Sequence, residues 1–256
     1  MSAASDGAGA RLGNASGHGF VTTSGAVSGF GGLFGDAVSA TRTVRRSGAL
    51  PNVAVLCTTP RGAAVTAAIA LALARACGRP FALAAAVGVG VAPAGAGSLV
   101  PSAARAAAQL RRGGHQAQAR GRLVWLADRR VQPTSTEAGR SQLAVGPADA
   151  AAALSADLTR AAAAVAAPCA LAIPFARSQA LDRVLGWHDT VVVVRAPDAS
   201  AALLQLVLTS VAALDRPVVA VQAPGRFEAG VAMAGLHAPA FARRAVAQLG
   251  IGKAPW

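Results

Sequence analysis

The sequence predicts an α/β fold: a doubly wound, mostly parallel sheet with helices on both faces, preceded by a flexible N-terminal tail. Three observations lead there. Short runs that are almost wholly apolar, such as residues 52–58 (NVAVLCT) and 190–195 (TVVVVR), have the length of strands. A strand apolar on both sides belongs to a sheet covered on both faces. These runs alternate with longer alanine-rich stretches of helical length, the order produced by helical crossovers between parallel strands. Finally, 256 residues of which 54% are apolar can bury one sizeable core.

Residues 1–46 are rich in Gly, Ser and Ala and follow neither a helical nor a strand period, so they read as a flexible tail with a short docking segment at Phe30, Leu33 and Phe34. The rest, 47–256, reads as one domain. A strand at 52–58 runs into the turn Thr59-Pro60-Arg61-Gly62, and a helix follows over 63–77, closed by Gly78 and Pro80. Residues 81–87 make a second strand before a Gly/Pro-rich stretch to Ser98. A helix over 103–112 ends at Gly113-Gly114, a strand covers 122–126, and 132–146 is polar loop. Pro147 starts a long helix to Ala166. A strand at 169–173, a helix at 178–185 and the strand 190–195 come next. Asp198 or Ser200 caps a helix to Leu214, and the last elements are a strand at 217–222 and a helix at 238–249.

Of the 24 basic residues, Lys253 is the single lysine, which leaves 23 arginines against 11 acids and a net charge of +13. Alanine fills roughly a quarter of the positions, well above ordinary usage. This bias fits bacterial high-GC coding. One lysine near the C-terminus excludes any mechanism that needs a lysine inside the fold. Cys57, Cys77 and Cys169 are scattered through apolar surroundings with no CxxC spacing, which fits inert core thiols in a reducing, cytoplasmic compartment. No basic segment followed by an apolar core opens the chain, so no signal peptide is expected. The uncharged stretches 81–104 and 199–214 read as buried elements: the first carries Pro93 and Pro101, and the second is shorter than the ~20 residues of a membrane span.

A strand, a glycine-containing turn and a helix is where α/β folds put a phosphate site. Such a loop uses glycines for close backbone approach, lysine for the β- and γ-phosphates and Ser/Thr for Mg²⁺. Here the segment is Thr58-Thr59-Pro60-Arg61-Gly62-Ala63-Ala64-Val65-Thr66. Its layout resembles the MinD/ParA-like (deviant Walker A) branch of P-loop ATPases, whose loop reads KGGxGK[ST]. Gly62 and Thr66 match that pattern. Pro60 and Val65 stand in place of the two lysines, and Arg61 and Ala64 in place of glycines. Downstream, Leu171-Ala172-Ile173-Pro174-Phe175 is similar to the family's Asp-then-proline strand end, with Ala172 in the acid's place. Leu181–Leu185 followed by 189–194 is similar to its "D-x-hydrophobic strand" segment, and the pattern covers about residues 50–250. The family's chemistry implies ATP and Mg²⁺, yet none of the 11 acids falls in 81–87 or at residue 172. Phosphoryl transfer depends on neutralising phosphate charge, and the planar fork of Arg61 does not replace a lysine in a tight backbone cradle. The resemblance therefore implies a degenerate member with no catalytic residues and no expected cofactor.

Other constellations are thinner. Trp187-His188-Asp189, with Arg177 and Ser178 upstream, suggests a triad, but no GxSxG accompanies it and a turn ahead of the strand explains it as well. His18, His115 and His237 are isolated, without HxH or HExxH spacing, so no metal site is expected. Arg105, Arg111, Arg112, Arg120, Arg122, Arg129 and Arg130 face only Asp128 across residues 105–130. That excess attracts phosphates or acidic protein surfaces, or is simply a solvated face; the near absence of aromatics there speaks against single-strand binding. The sequence thus leads to a non-catalytic, partner-binding or positioning scaffold that dimerises with itself or with an active ATPase relative. The alternatives are an atypical ATPase using Arg61 and Thr66, and a nucleic-acid-binding accessory protein using the arginines of 105–130.

Overall fold

In a computed structural model of the chain, the structure describes residues 50–58, 62–87, 98–127, 147–175, 184–185, 188–195, 200–212, 217–222 and 238–251. The strands are β1 (Asn52–Cys57), β2 (Ala82–Ala86), β3 (Ala117–Arg120), β4 (Leu123–Leu126), β5 (Cys169–Pro174), β6 (Thr190–Arg195) and β7 (Val218–Gln222). The helices are α1 (Gly62–Ala76), α2 (Pro101–Arg112), α3 (Pro147–Val165), α4 (Ala201–Ala212) and α5 (Ala240–Gln248). The predicted tail 1–46 and most of the predicted helix 178–185 lie outside the described residues. Among the described residues, no helix is long and apolar enough to cross a membrane.

The strands form one sheet in the order β3-β4-β2-β5-β1-β6-β7, with every neighbouring pair parallel except the edge hairpin β3–β4. β1 is central, pairing with β5 on one side and β6 on the other. Period-two alternation divides its residues between two cores. Val53, Val55 and Cys57 face α1 and α5, while Ala54 and Leu56 face α2, α3 and the buried Val207 and Val211 of α4. Both faces are therefore dry, and the apolar runs of the sequence have their physical reason.

The chain moves in one direction along the sheet from β1 to β2, with α1 on one face. It moves in the other direction from β4 to β5 and from β6 to β7, with α3 and α4 on the opposite face. Reversing both direction and face preserves crossover handedness, as parallel sheets require. Adjacent strands whose connections diverge in this way open a crevice at their carboxyl ends, here between β1 and β6, with the ends of β5 and β2 alongside.

Helix ends follow local chemistry. Gly78 sits at φ +61° after α1; its N–H donates to the Arg75 carbonyl at 3.0 Å and that of Arg79 to Ala74 at 2.7 Å. This is a Schellman closure in which glycine relieves the left-handed strain. α3 closes the same way, with Ala167 N donating to Ala162 O at 3.1 Å, but the left-handed residue is Ala166 at φ 49°. The strand expected at 122–126 is half of a hairpin. β3, with the sequence AQAR, carries no apolar run and is recruited to the edge by antiparallel pairing with β4.

Candidate functional site

The crevice at the carboxyl ends of β1, β2, β5 and β6 is the position the fold reserves for a ligand. Its strand ends are knitted together by the backbone: Thr58 N donates to Val194 O at 3.4 Å, Phe175 N to Cys57 O at 3.1 Å and Val87 N to Ala172 O at 3.0 Å. The Thr58 hydroxyl also donates to Val194 O at 3.1 Å. The described residues here are Cys57, Thr58, Ala86, Val87, Ala172, Ile173, Pro174, Phe175, Val194 and the half-buried Arg195. None is an acid or a lysine.

Gly62 begins α1 and is buried, while Arg61 lies outside the described residues. Thr66 is 0% exposed and Val65 is 1% exposed, both in the core shared by α1, the sheet and α5. The Thr66 side chain lies beside Cys57. Burial pushes the Cys57 thiol up to about 12, and contact with the Thr66 hydroxyl offsets only part of that. Despite this contact, Thr66 Oγ1 makes no well-formed hydrogen bond among the described residues. The hydroxyl at the position matching a Mg²⁺-coordinating one is therefore turned into the protein interior. Among the described residues, the strand ends offer a nucleotide–Mg²⁺ group no carboxylate, and Val65 is a packed core position.

The arginines predicted as a patch divide by location. Arg105, Arg111 and Arg112 are exposed on α2, Arg122 is exposed in the β3–β4 turn and Arg120 is half-buried on β3. Arg129 and Arg130 lie outside the described residues. The thiol of Cys169 is pushed up to about 12, chiefly by burial and further by Asp189, and burial also raises Cys77. Nucleophilic thiolates are thus disfavoured at all three cysteines.

Sequence reasoning missed a polar cluster at the opposite end of the sheet. His188 Nδ1 lies 2.7 Å from Asn52 Oδ1, and its Nε2 lies 2.9 Å from Ser155 Oγ. An amide oxygen only accepts, so Nδ1 carries the proton and Nε2 accepts from the serine hydroxyl. Asn52 Oδ1 also accepts from the Cys169 thiol at 3.2 Å, and its Nδ2 donates to Thr159 Oγ1 at 3.2 Å. Asp189 Oδ2 accepts from Asn52 N at 3.0 Å, and Asp189 N donates to Asn52 O at 2.9 Å. Serine, histidine and an amide oxygen in line have the order of a hydrolytic relay. Here Ser155 and His188 are both 0% exposed, so no substrate carbonyl reaches the hydroxyl. The cluster fastens α3 to the first residues of β1 and β5 and to the turn before β6. The predicted Ser178 and Arg177 lie outside the described residues; the serine that does meet His188 is on α3. Its only sequence signal was a pair of hydroxyls, Ser155 and Thr159, one turn apart in an alanine-rich helix.

Compared with known proteins, the chain matches no family model, no curated protein and no solved structure.

Proposed function

We propose that the chain is a non-catalytic, P-loop-like protein that binds partners or positions them, by self-association or by pairing with an active ATPase relative. The reading rests on one observation above all: Thr66, at the position where the resembled loop needs a free hydroxyl, is fully buried against Cys57. Two further features support it. The described ends of β1, β2, β5 and β6 carry Arg195 as a cation but no lysine for the phosphates and no carboxylate for a metal. The parallel sheet keeps β1 at its centre and the helix that follows it, the order of elements the resembled family has.

Calorimetric titration with ATP–Mg²⁺ tests the non-catalytic part. The expected result is no binding heat up to millimolar nucleotide, and micromolar affinity overturns the proposal. Sedimentation velocity with and without ATP–Mg²⁺ tests the association part. The expected outcome is an oligomer whose population depends on protein concentration and not on nucleotide. A strictly monomeric chain that also fails to bind a co-expressed ATPase relative overturns it.

A further inference from the structure

Residues 98–127 form one edge of the domain, with α2 packed on the β3–β4 hairpin. This segment contains Arg105, Arg111, Arg112, Arg120 and Arg122 and no acid. Two of its guanidiniums donate to neutral groups: Arg111 Nη1 to Ala117 O at 3.0 Å and Arg120 Nη2 to Gln118 Oε1 at 3.2 Å. Asp157 of the neighbouring α3 is engaged by His115 at 3.0 Å and Arg160 at 3.5 Å. Among the described residues, Arg105, Arg111, Arg112 and Arg122 make no ion pair.

These four charges lie on one edge of the domain, with Arg111 about 100° round α2 from the stripe that carries Arg105 and Arg112. Arg105 and Arg112 are two helical turns apart on the same stripe of α2, a rise of about 10.5 Å. Val100 N donates to Gly121 O at 3.2 Å, so the β3–β4 turn carrying Arg122 abuts the start of the helix. Arg111 ties the helix's end to the start of β3. Arginine on an edge strand alone would serve to repel other strands, but three of the four unpaired guanidiniums are on the helix.

We propose that this edge binds the phosphate backbone of duplex nucleic acid without reading its sequence. Guanidinium forks match phosphate oxygens, and α2 spans about 18 Å, the length of a twelve-residue helix. Trp125, the aromatic residue of the segment, is 6% exposed in the core, so stacking on single-stranded bases is not available. Between the arginines the exposed positions of α2 are Pro101 and Gln109, with Leu99 just ahead of the helix, so the surface lacks the apolar face that a bilayer would take up. The inference is independent of the function proposed above, because it concerns a different face and no nucleotide.

The test is binding of the full chain to a random-sequence duplex as a function of salt. Four phosphate contacts give a slope of about −3.6 in log K against log salt, or about 150-fold weaker binding at 200 mM than at 50 mM. The double variant Arg105→Gln/Arg112→Gln should halve that slope, while the control Arg244→Gln on α5 leaves it unchanged. Matching thermal melts of the three proteins establish that each is folded. No duplex binding at 50 mM salt overturns the proposal. So does an equal loss in both variants, which marks diffuse charge, or binding of vesicles with 30% anionic lipid in preference to duplex.

Discussion

Replacing Thr66 with valine keeps the shape of the side chain and removes only its hydroxyl. Threonine and valine have similar helix propensities, so backbone terms nearly cancel. What changes is a polar atom that is 0% exposed and makes no well-formed hydrogen bond among the described residues. Leaving a buried hydroxyl unsatisfied costs about 1–3 kcal/mol. Contact with Cys57 recovers part of that, which puts the expected gain of Thr66→Val near 1 kcal/mol. For a domain of this size the midpoint of thermal unfolding should rise by about 2–4 °C. Urea titration checks the free energy directly, with an unchanged m-value showing that the native surface is the same. Under the proposed function, self-association and partner binding are also unchanged. A loss of more than about 0.5 kcal/mol would show that the hydroxyl is well satisfied in the folded protein and would refute the reasoning. Loss of association without loss of stability would refute its functional half.

The remaining predictions concern other parts of the molecule. Ala166 holds a left-handed conformation that costs an L-residue about 1–2 kcal/mol; glycine relieves it but gains entropy when unfolded, so Ala166→Gly should stabilise by about 0.5–1 kcal/mol in urea melts, and destabilisation would contradict the strain. Burial lowers His188 from 6.5 to about 4, which favours the neutral ring in the folded state. The stability from that preference is complete above pH 6.5 and is lost as pH falls towards 4, amounting to about 3 kcal/mol; unfolding free energies that stay flat from pH 7 to 4.5 would disprove it. Maleimide at pH 7.5 should label the half-buried Cys77 first, and Cys57 and Cys169 only after unfolding. Equal labelling rates in the native state would show that the two buried thiols are accessible.

The strands of the central sheet were legible because each is buried on both faces, and burial leaves an uninterrupted apolar run. β3 was not, because it is four residues long and its alternation rests on the small apolar side chains of Ala117 and Ala119, with Gln118 and Arg120 between them, so the hydrophobic contrast is slight. Helix starts shifted by a residue or two, as at α2, which begins at Pro101, a favoured first helical residue, and not at residue 103. At the crevice, residue types alone revealed the missing lysines and acids. The inward turn of Thr66 required the packing of α1 between the sheet and α5, which no local pattern encodes. The His188 cluster was hidden for a different reason: it joins residues 33 and 136 positions apart in the chain. Sequence adjacency pointed to Asp189 as the histidine's partner, whereas Asp189 serves the backbone of Asn52.

The central position of β1 has a kinetic consequence. It is the first described strand to leave the ribosome, and both of its neighbours, β5 and β6, begin more than a hundred residues later, at Cys169 and Thr190. β2, made soon after β1, lies beyond β5 and cannot pair with it. At about 5–20 residues per second, a strand that is apolar on both sides waits about 6–23 seconds for β5 and about 7–28 seconds for β6. Sheets closed by such distant pairings fold slowly and expose unpaired edges while they do. The vulnerable moment for this chain is therefore during its synthesis, and the segment at risk of aggregation is its most protected strand once folded.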